Sequence, residues 1–194
     1  MTYNILAINP GHNGSTALVC DGEIVFYGEE ERFSHMKYDG NPFKSMMTVL
    51  TSFPIDELII GGTNEQYGQL AWTGEDAYTA LVRKYNPKVK VTKMGNRHHL
   101  GHAVNAFYNS GFKTAAAVVV DGSGSYHTEK MGQEQDSPVT AGFETESIFN
   151  CSYPANISPV YKRYSSQQTA VYDNGVKDFD DTVTISKAYE AVTA

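Results

Sequence analysis

The sequence predicts an α/β fold made of two similar halves, and three observations carry that prediction. Short apolar runs of buried-strand type, Leu58-Ile59-Ile60 and Ala115 to Val120, alternate with segments of helical spacing. Glycine-rich turns follow the strands at Pro10-Gly11-His12-Asn13-Gly14 and at Gly122-Ser123-Gly124-Ser125. The opening pattern, a strand running into such a turn and then a further strand, recurs from Ala115.

Taken in order, Tyr3 to Asn9 alternates as a strand, Ser15 to Cys20 is a second, and Glu23 to Gly28 a third. Asp21-Gly22 between the last two is a strong two-residue hairpin signal. Lys44 to Phe53 has helical spacing and stops at Pro54; Glu57 to Ile60 is a buried strand leaving through Gly61-Gly62. Glu75 to Tyr85 is helical through Ala77, Leu81 and Tyr85, with Arg83 and Lys84 in the last turn, where the helix dipole favours cations. Val89 to Met94 is a strand, the segment from His98 a helix ending at Asn109-Ser110-Gly111, and Ala115 to Val120 the strand that delivers Asp121. A further strand is expected around Gly142 to Asn150. The polar stretch 152–181 has little periodicity and is expected as a long loop insertion. Ile185 to Ala194 begins a helix without a stop signal, so the chain is expected to be a fragment. The expected division is 1–112 for the first half and 113–194 for the start of the second.

Composition narrows the function classes. Apolar residues make up 41% and charged residues 19% of the 194 positions, an ordinary globular balance. A net charge of −7 argues against a surface that coats nucleic acid. Cys20 and Cys151 are too few for a disulfide scaffold and suit a reducing, cytoplasmic compartment. The N-terminus lacks the basic and apolar segments of a signal peptide. No apolar stretch approaches the roughly 20 residues of a membrane helix.

The strongest chemical signal is His98-His99-Leu100-Gly101-His102 upstream of Asp121. On a helix His98 and His102 project from one face, one turn apart, and can offer two nitrogens to one metal ion. Asp121 ends a strand, and open α/β sheets gather ligands at the carboxyl ends of their strands. Two imidazoles and a carboxylate leave coordination positions for substrate or water, and suit Fe(II), Mn, Ni or Zn. His99 lies off that face, where a role supporting the ligands, a substrate-facing role, and capping or packing all remain open. Gly11, Gly14 and Ser15 in the first turn, and Gly122, Ser123 and Gly124 in the second, suit a phosphate held by backbone amides; the plain alternative is a hairpin turn. His12 can act as donor or proton carrier, and Lys37 as a point charge opposite a phosphate; each can equally be an ordinary polar surface residue. Most of Glu29, Glu30, Glu31 and Arg32 read as a solvated strand end or as structural ion pairs, His35 and His127 as surface residues, and Tyr67, Trp72 and Tyr78 as packing residues.

Asn9 to Ala17, Glu29-Glu30-Glu31-Arg32-Phe33-Ser34, Lys37, His98 to Ala103 and Val120 to Gly124, in this order, resemble the amino-terminal part of the nodulation- and antibiotic-type O-carbamoyltransferases. The resemblance covers the first 125 residues or so, and Ile185 to Ala194 resembles a family helix. It implies an actin/Hsp70/sugar-kinase-type core of two ribonuclease-H-like halves. It further implies a metal, commonly iron, on His98, His102 and Asp121, with another Asp ligand later in the family's chain. Complete members carry a further domain that makes carbamoyl-adenylate from carbamoyl phosphate and ATP, and the kinase-like part then moves the carbamoyl group to a hydroxyl of a small-molecule acceptor. The glycine-rich turns would hold the adenylate phosphate, and His12 and Lys37 would orient the group and neutralise leaving charge. Asn13 stands where the family often has Asp, and 152–181 matches no family pattern. On this reading the isolated chain is expected to be inactive. A phosphotransferase with the same core would share the glycine-rich turns without needing the histidine pair, and a non-catalytic binding fragment would keep the fold alone.

Overall fold

The computed structural model describes residues 2–62, 75–127, 142–165, 171–173, 176–178 and 184–193. It is mixed α/β, and it divides into two compact units, Met1–Gly95 and Asn96–Ala194. Tyr67 and Trp72 lie outside the described residues.

The first unit opens with β1 (Asn4–Asn9), β2 (Ser15–Cys20) and β3 (Glu23–Glu29). Burial alternates along β1 and β2, so Leu6, Ile8 and Leu18 face the core. Asp21 and Gly22 both have positive φ, 48° and 91°, the backbone a tight two-residue hairpin needs. A short α1 (Glu31–Ser34) leads to α2 (Phe43–Leu50), β4 (Glu57–Ile60), α3 (Ala77–Tyr85) and β5 (Lys90–Lys93). The sheet order is β3-β2-β1-β4-β5. β1, β2 and β3 pair antiparallel, while β4 joins β1 and β5 joins β4 in parallel. Parallel neighbours require crossovers, and α2 and α3 lie within them. Leu6, Leu18, Met46, Leu58, Ile60 and Val82, all fully buried, centre the core. Asp76 caps α3 by accepting the Thr79 amide at 2.8 Å. Tyr78 is buried and stacks on Phe43, as a packing residue should.

The charge run at 29–32 corrects the solvated reading at one position. Glu30 is 1% exposed, and its carboxylate accepts the amides of Lys44 and Ser45, each at 2.9 Å, and the Ser45 hydroxyl at 2.6 Å. It therefore satisfies the orphan amides of the first turn of α2.

The second unit holds α4 (His98–Ser110), β6 (Thr114–Val120), β7 (Tyr126–His127), β8 (Gly142–Ser152), β9 (Asn156–Ser165), β10 (Val171–Asp173), β11 (Val176–Asp178) and α5 (Ile185–Thr193). β8 is the central strand, antiparallel to β6, β7 and β9; β10 and β11 form a separate hairpin. α4 ends at Gly111, φ 75°, and packs Ala103 and Phe107 on Ala117, Val119, Phe149 and Cys151.

The boundary falls at Gly95/Asn96, not 112/113, because α4 buries its apolar face against β6 and β8. The supposed loop from 152 begins instead with β9, paired along most of β8. Its first half is exposed and its polar residues follow no strict alternation, so composition concealed it. The internal repeat appears as topology: each unit has an antiparallel trio with its second long strand in the middle. No helix among the described residues is long and apolar enough to cross a membrane.

Candidate metal centre

The second unit brings the three proposed ligands together. His98 opens α4, His102 follows one turn later, and Asp121 comes directly after β6. His98 Nε2 lies 3.0 Å from His102 Nε2 and 3.0 Å from Asp121 Oδ2; His102 Nε2 is 4.0 Å from that oxygen. Asp121 is anchored on several sides. Its amide donates to the Thr145 carbonyl at 2.8 Å, its Oδ1 accepts the Gly122 amide at 2.6 Å, and its carbonyl accepts the Ser186 hydroxyl of α5 at 2.6 Å. Its Oδ2 is buried and, although His98 Nε2 stands 3.0 Å away, the contact lacks hydrogen-bond geometry.

A metal centre fits this donor set. Bonds of about 2.1 Å to one ion place ligand atoms roughly 3.0–3.4 Å apart; the two spacings from His98 Nε2 match this, and that between His102 and Asp121, at 4.0 Å, is wider. The orphaned Oδ2 is the atom a cation would take. The electrostatics favour the binding forms of Asp121 and His102. His98, and then His99, hold the Asp121 carboxyl far below the usual carboxylate range. Burial lowers the His102 pKa, neighbouring His98 adds to this, and Asp121 opposes it. A carboxylate beside neutral imidazoles is the ligating state.

The glycine-rich turns are more occupied than a free phosphate cradle would be. In the second, the Gly122 amide goes to Asp121 and the Gly124 amide to the Glu144 carbonyl at 2.8 Å. A Cβ on Gly124 would stand 2.8 Å from Cδ2 and Nε2 of His99, so this glycine makes room for that ring. Ser123 Oγ is buried and has no hydrogen-bond partner. In the first unit, the Gly11 amide donates to the Gly40 carbonyl at 2.8 Å and the Gly14 amide to the Asp39 carbonyl at 2.9 Å. Neither amide is available to an anion in this conformation. Ser15 opens β2 in register with Asn9 and Glu29.

His12 and Lys37 meet at one residue the sequence did not single out. The His12 ring stacks on Tyr38 at 5.2 Å between centroids, and Lys37 Nζ lies 4.9 Å from the same ring. Lys37 also pairs with Glu31 at 3.4 Å. Tyr38 has φ 60°, in the left-handed region that a bulky side chain seldom adopts.

His35 is exposed, as expected, but His127 is not: it is 2% exposed. Its Nε2 is 3.5 Å from Oε1 of Glu144, which also pairs with Lys162. Burial pushes the Glu144 carboxyl up, but His127 and Lys162 outweigh it and bring it down to about 2. Nothing in the local sequence marks this cluster, because its members come from three different strands.

No protein-family model matches the chain. It is 29% identical over 124 residues, 62% of its length, to an uncharacterized protein of Methanocaldococcus jannaschii, of which it covers 22%. It is 24% identical over a 193-residue alignment, 79% of its length, to an uncharacterized protein of Synechocystis, of which it covers 30%. The chain thus spans less than a third of the length of these curated relatives. A solved structure of a ROK family protein from Streptococcus pneumoniae in complex with sucrose is similar at a TM-score of 0.37 and 12% identity, over 75% of this chain and 45% of that one.

Proposed function

We propose that this chain is the kinase-like part of an O-carbamoyltransferase, moving a carbamoyl group from carbamoyl-adenylate to a hydroxyl of a small-molecule acceptor. The observation that carries this is the convergence of His98 Nε2, His102 Nε2 and the orphaned Asp121 Oδ2, together with the ordered motifs from Asn9 to Gly124. The strand order β3-β2-β1-β4-β5, and the antiparallel trio repeated in the second unit, support an actin/Hsp70/sugar-kinase-type core.

His98, His102 and Asp121 would hold a divalent transition metal, iron by the family resemblance. Such an ion, when bound, supplies charge stabilisation at the carbonyl or the acceptor oxygen, a contribution of several kcal/mol. The protein's own part is to favour neutral His102 and ionised Asp121, and to fix that carboxylate through the Gly122 amide. Ser123 Oγ is the group of the second turn assigned to the adenylate phosphate. His12 and Lys37, sharing the Tyr38 ring, are assigned to orient the carbamoyl group and to neutralise leaving charge. The step that forms carbamoyl-adenylate from carbamoyl phosphate and ATP is assigned to no residue of this chain.

The test is made on the protein as the cell produces it, purified without chelator. Stoichiometric transition metal, and release of AMP and pyrophosphate that needs ATP and carbamoyl phosphate together, are the expected results. ADP formation that needs no carbamoyl phosphate would overturn the reading in favour of a phosphotransferase.

A further inference from the structure

His99 follows His98 directly, yet its environment differs. It is wholly buried, while the side chains of His98 and His102 are 26% and 53% exposed. Its Nδ1 lies 2.7 Å from Oγ of Ser147 on β8, and its Nε2 points at Asp121 Oδ2 from 3.7 Å. Both His99 Nε2 and Asp121 Oδ2 are buried and make no hydrogen bond. Two facing, unsatisfied polar atoms in a buried site are costly unless a small movement joins them.

The chemistry selects one tautomer. If Nδ1 carried the proton, a lone pair on Nε2 would face a carboxylate oxygen with no water between them. If the Ser147 hydroxyl donates to Nδ1, Nε2 carries the proton and presents it to Asp121. Closing 3.7 Å to a hydrogen bond of about 3.0 Å takes well under 1 Å of movement. Gly124 permits this ring position, since any Cβ there would meet the edge that carries Nε2.

We propose that His99 is a positioning residue of the metal centre: Ser147 sets its tautomer, and its Nε2–H holds the Asp121 carboxylate in the orientation that ligates. Asp121 is then held at Oδ1 by the Gly122 amide and at Oδ2 by His99, with a remaining lone pair of Oδ2 turned to the ion. Partners of this kind commonly set ligand orientation and metal affinity. The inference rests on the reading of His98, His102 and Asp121 as a metal centre.

Titration of the metal-free protein, as the cell produces it, with Co²⁺ tests the inference, following the visible absorption of the bound ion. His99→Phe keeps an aromatic ring but removes both nitrogens; it should lose roughly 10–100-fold in Co²⁺ affinity and shift the absorption bands. His99→Gln, whose amide can still donate to Asp121, should recover most of the affinity and the wild-type spectrum. Ser147→Ala removes only a hydroxyl, should fall between them, and carries the test if His99→Phe fails to fold by circular dichroism. Wild-type affinity and spectrum in both His99→Phe and Ser147→Ala would overturn the proposal while leaving the metal centre standing. Failure of the wild type itself to bind Co²⁺ stoichiometrically would overturn the metal centre, and this proposal with it.

Discussion

His98 Nε2 lies 3.0 Å from Asp121 Oδ2, so the residue that opens α4 meets the residue that follows β6. The helix turns back over the sheet at Gly111, and burial of Ala103 and Phe107 against Ala117, Val119 and Phe149 holds its first turn near the end of β6. The apolar packing of α4 thus sets the geometry of the ligands.

His102→Ala removes one donor from the set and should lower metal affinity at least as much as loss of a supporting residue does, ~10–100-fold. Elemental analysis of wild type and variant purified side by side checks this. Equal metal content in both would count against the centre, and His35→Ala, an exposed residue, should leave the content unchanged.

Metal uptake should also fall with acid. The imidazoles ligate only when neutral, and burial lowers the His102 pKa below its ordinary value. Neutral His102 therefore prevails at neutral pH, and protons compete only as pH falls below its ordinary 6.5. Co²⁺ titrations across this range should show weakening on the acid side, and a flat profile would contradict it.

Glu144→Gln addresses the buried cluster of the second unit. Removing one member of a buried ion pair typically costs about 3–5 kcal/mol, here by stranding Lys162 beside His127. Because the folded carboxyl titrates near 2, below its ordinary 4.5, its contribution is full above about pH 4.5 and is lost as pH falls toward 2. Denaturant melts should show a steeper loss of stability in this window for wild type than for the variant.

Glu30→Ala should destabilise the first unit by about 2 kcal/mol, since it leaves the buried amide of Ser45 and the part-buried amide of Lys44 without this acceptor. Glu30→Gln should cost less, because one amide oxygen still accepts. Equal stability of Glu30→Ala and wild type in urea melts would refute the capping role.

Gly40→Ala should unseat the loop that carries Lys37 and Tyr38. A Cβ there would collide with the backbone of Gly11, just where the two loops are hydrogen-bonded. A cost of about 1–3 kcal/mol is expected, as for other forced overpacking, with loss of the His12–Tyr38 stacking visible in the His12 ring resonances. Gly22→Ala, by contrast, meets no atom and suffers only its positive φ.

The sequence by itself determined what depends on neighbours in the chain. The strands β1, β2, β4 and β6, the Asp21-Gly22 hairpin and the spacing of His98 and His102 all follow from periodicity, turn chemistry and one helical turn. Asp121 was legible because it follows a buried strand and precedes a glycine-rich turn. What depends on distant partners was decided by the tertiary structure alone. Glu30 looked solvated until a helix N-terminus packed over it; His127 looked exposed until β7, β8 and β9 enclosed it with Glu144 and Lys162. The glycines of both turns looked like a phosphate cradle, yet close approach of Gly40 and His99 accounts for Gly14 and Gly124. β9 escaped notice because a half-exposed strand paired to a long neighbour needs little apolar patterning of its own. His99 shows the division within two adjacent residues. Its spacing excludes it from the face of His98 and His102, and only the fold of β8 and the 122–125 turn gives it Ser147 on one side and Asp121 on the other.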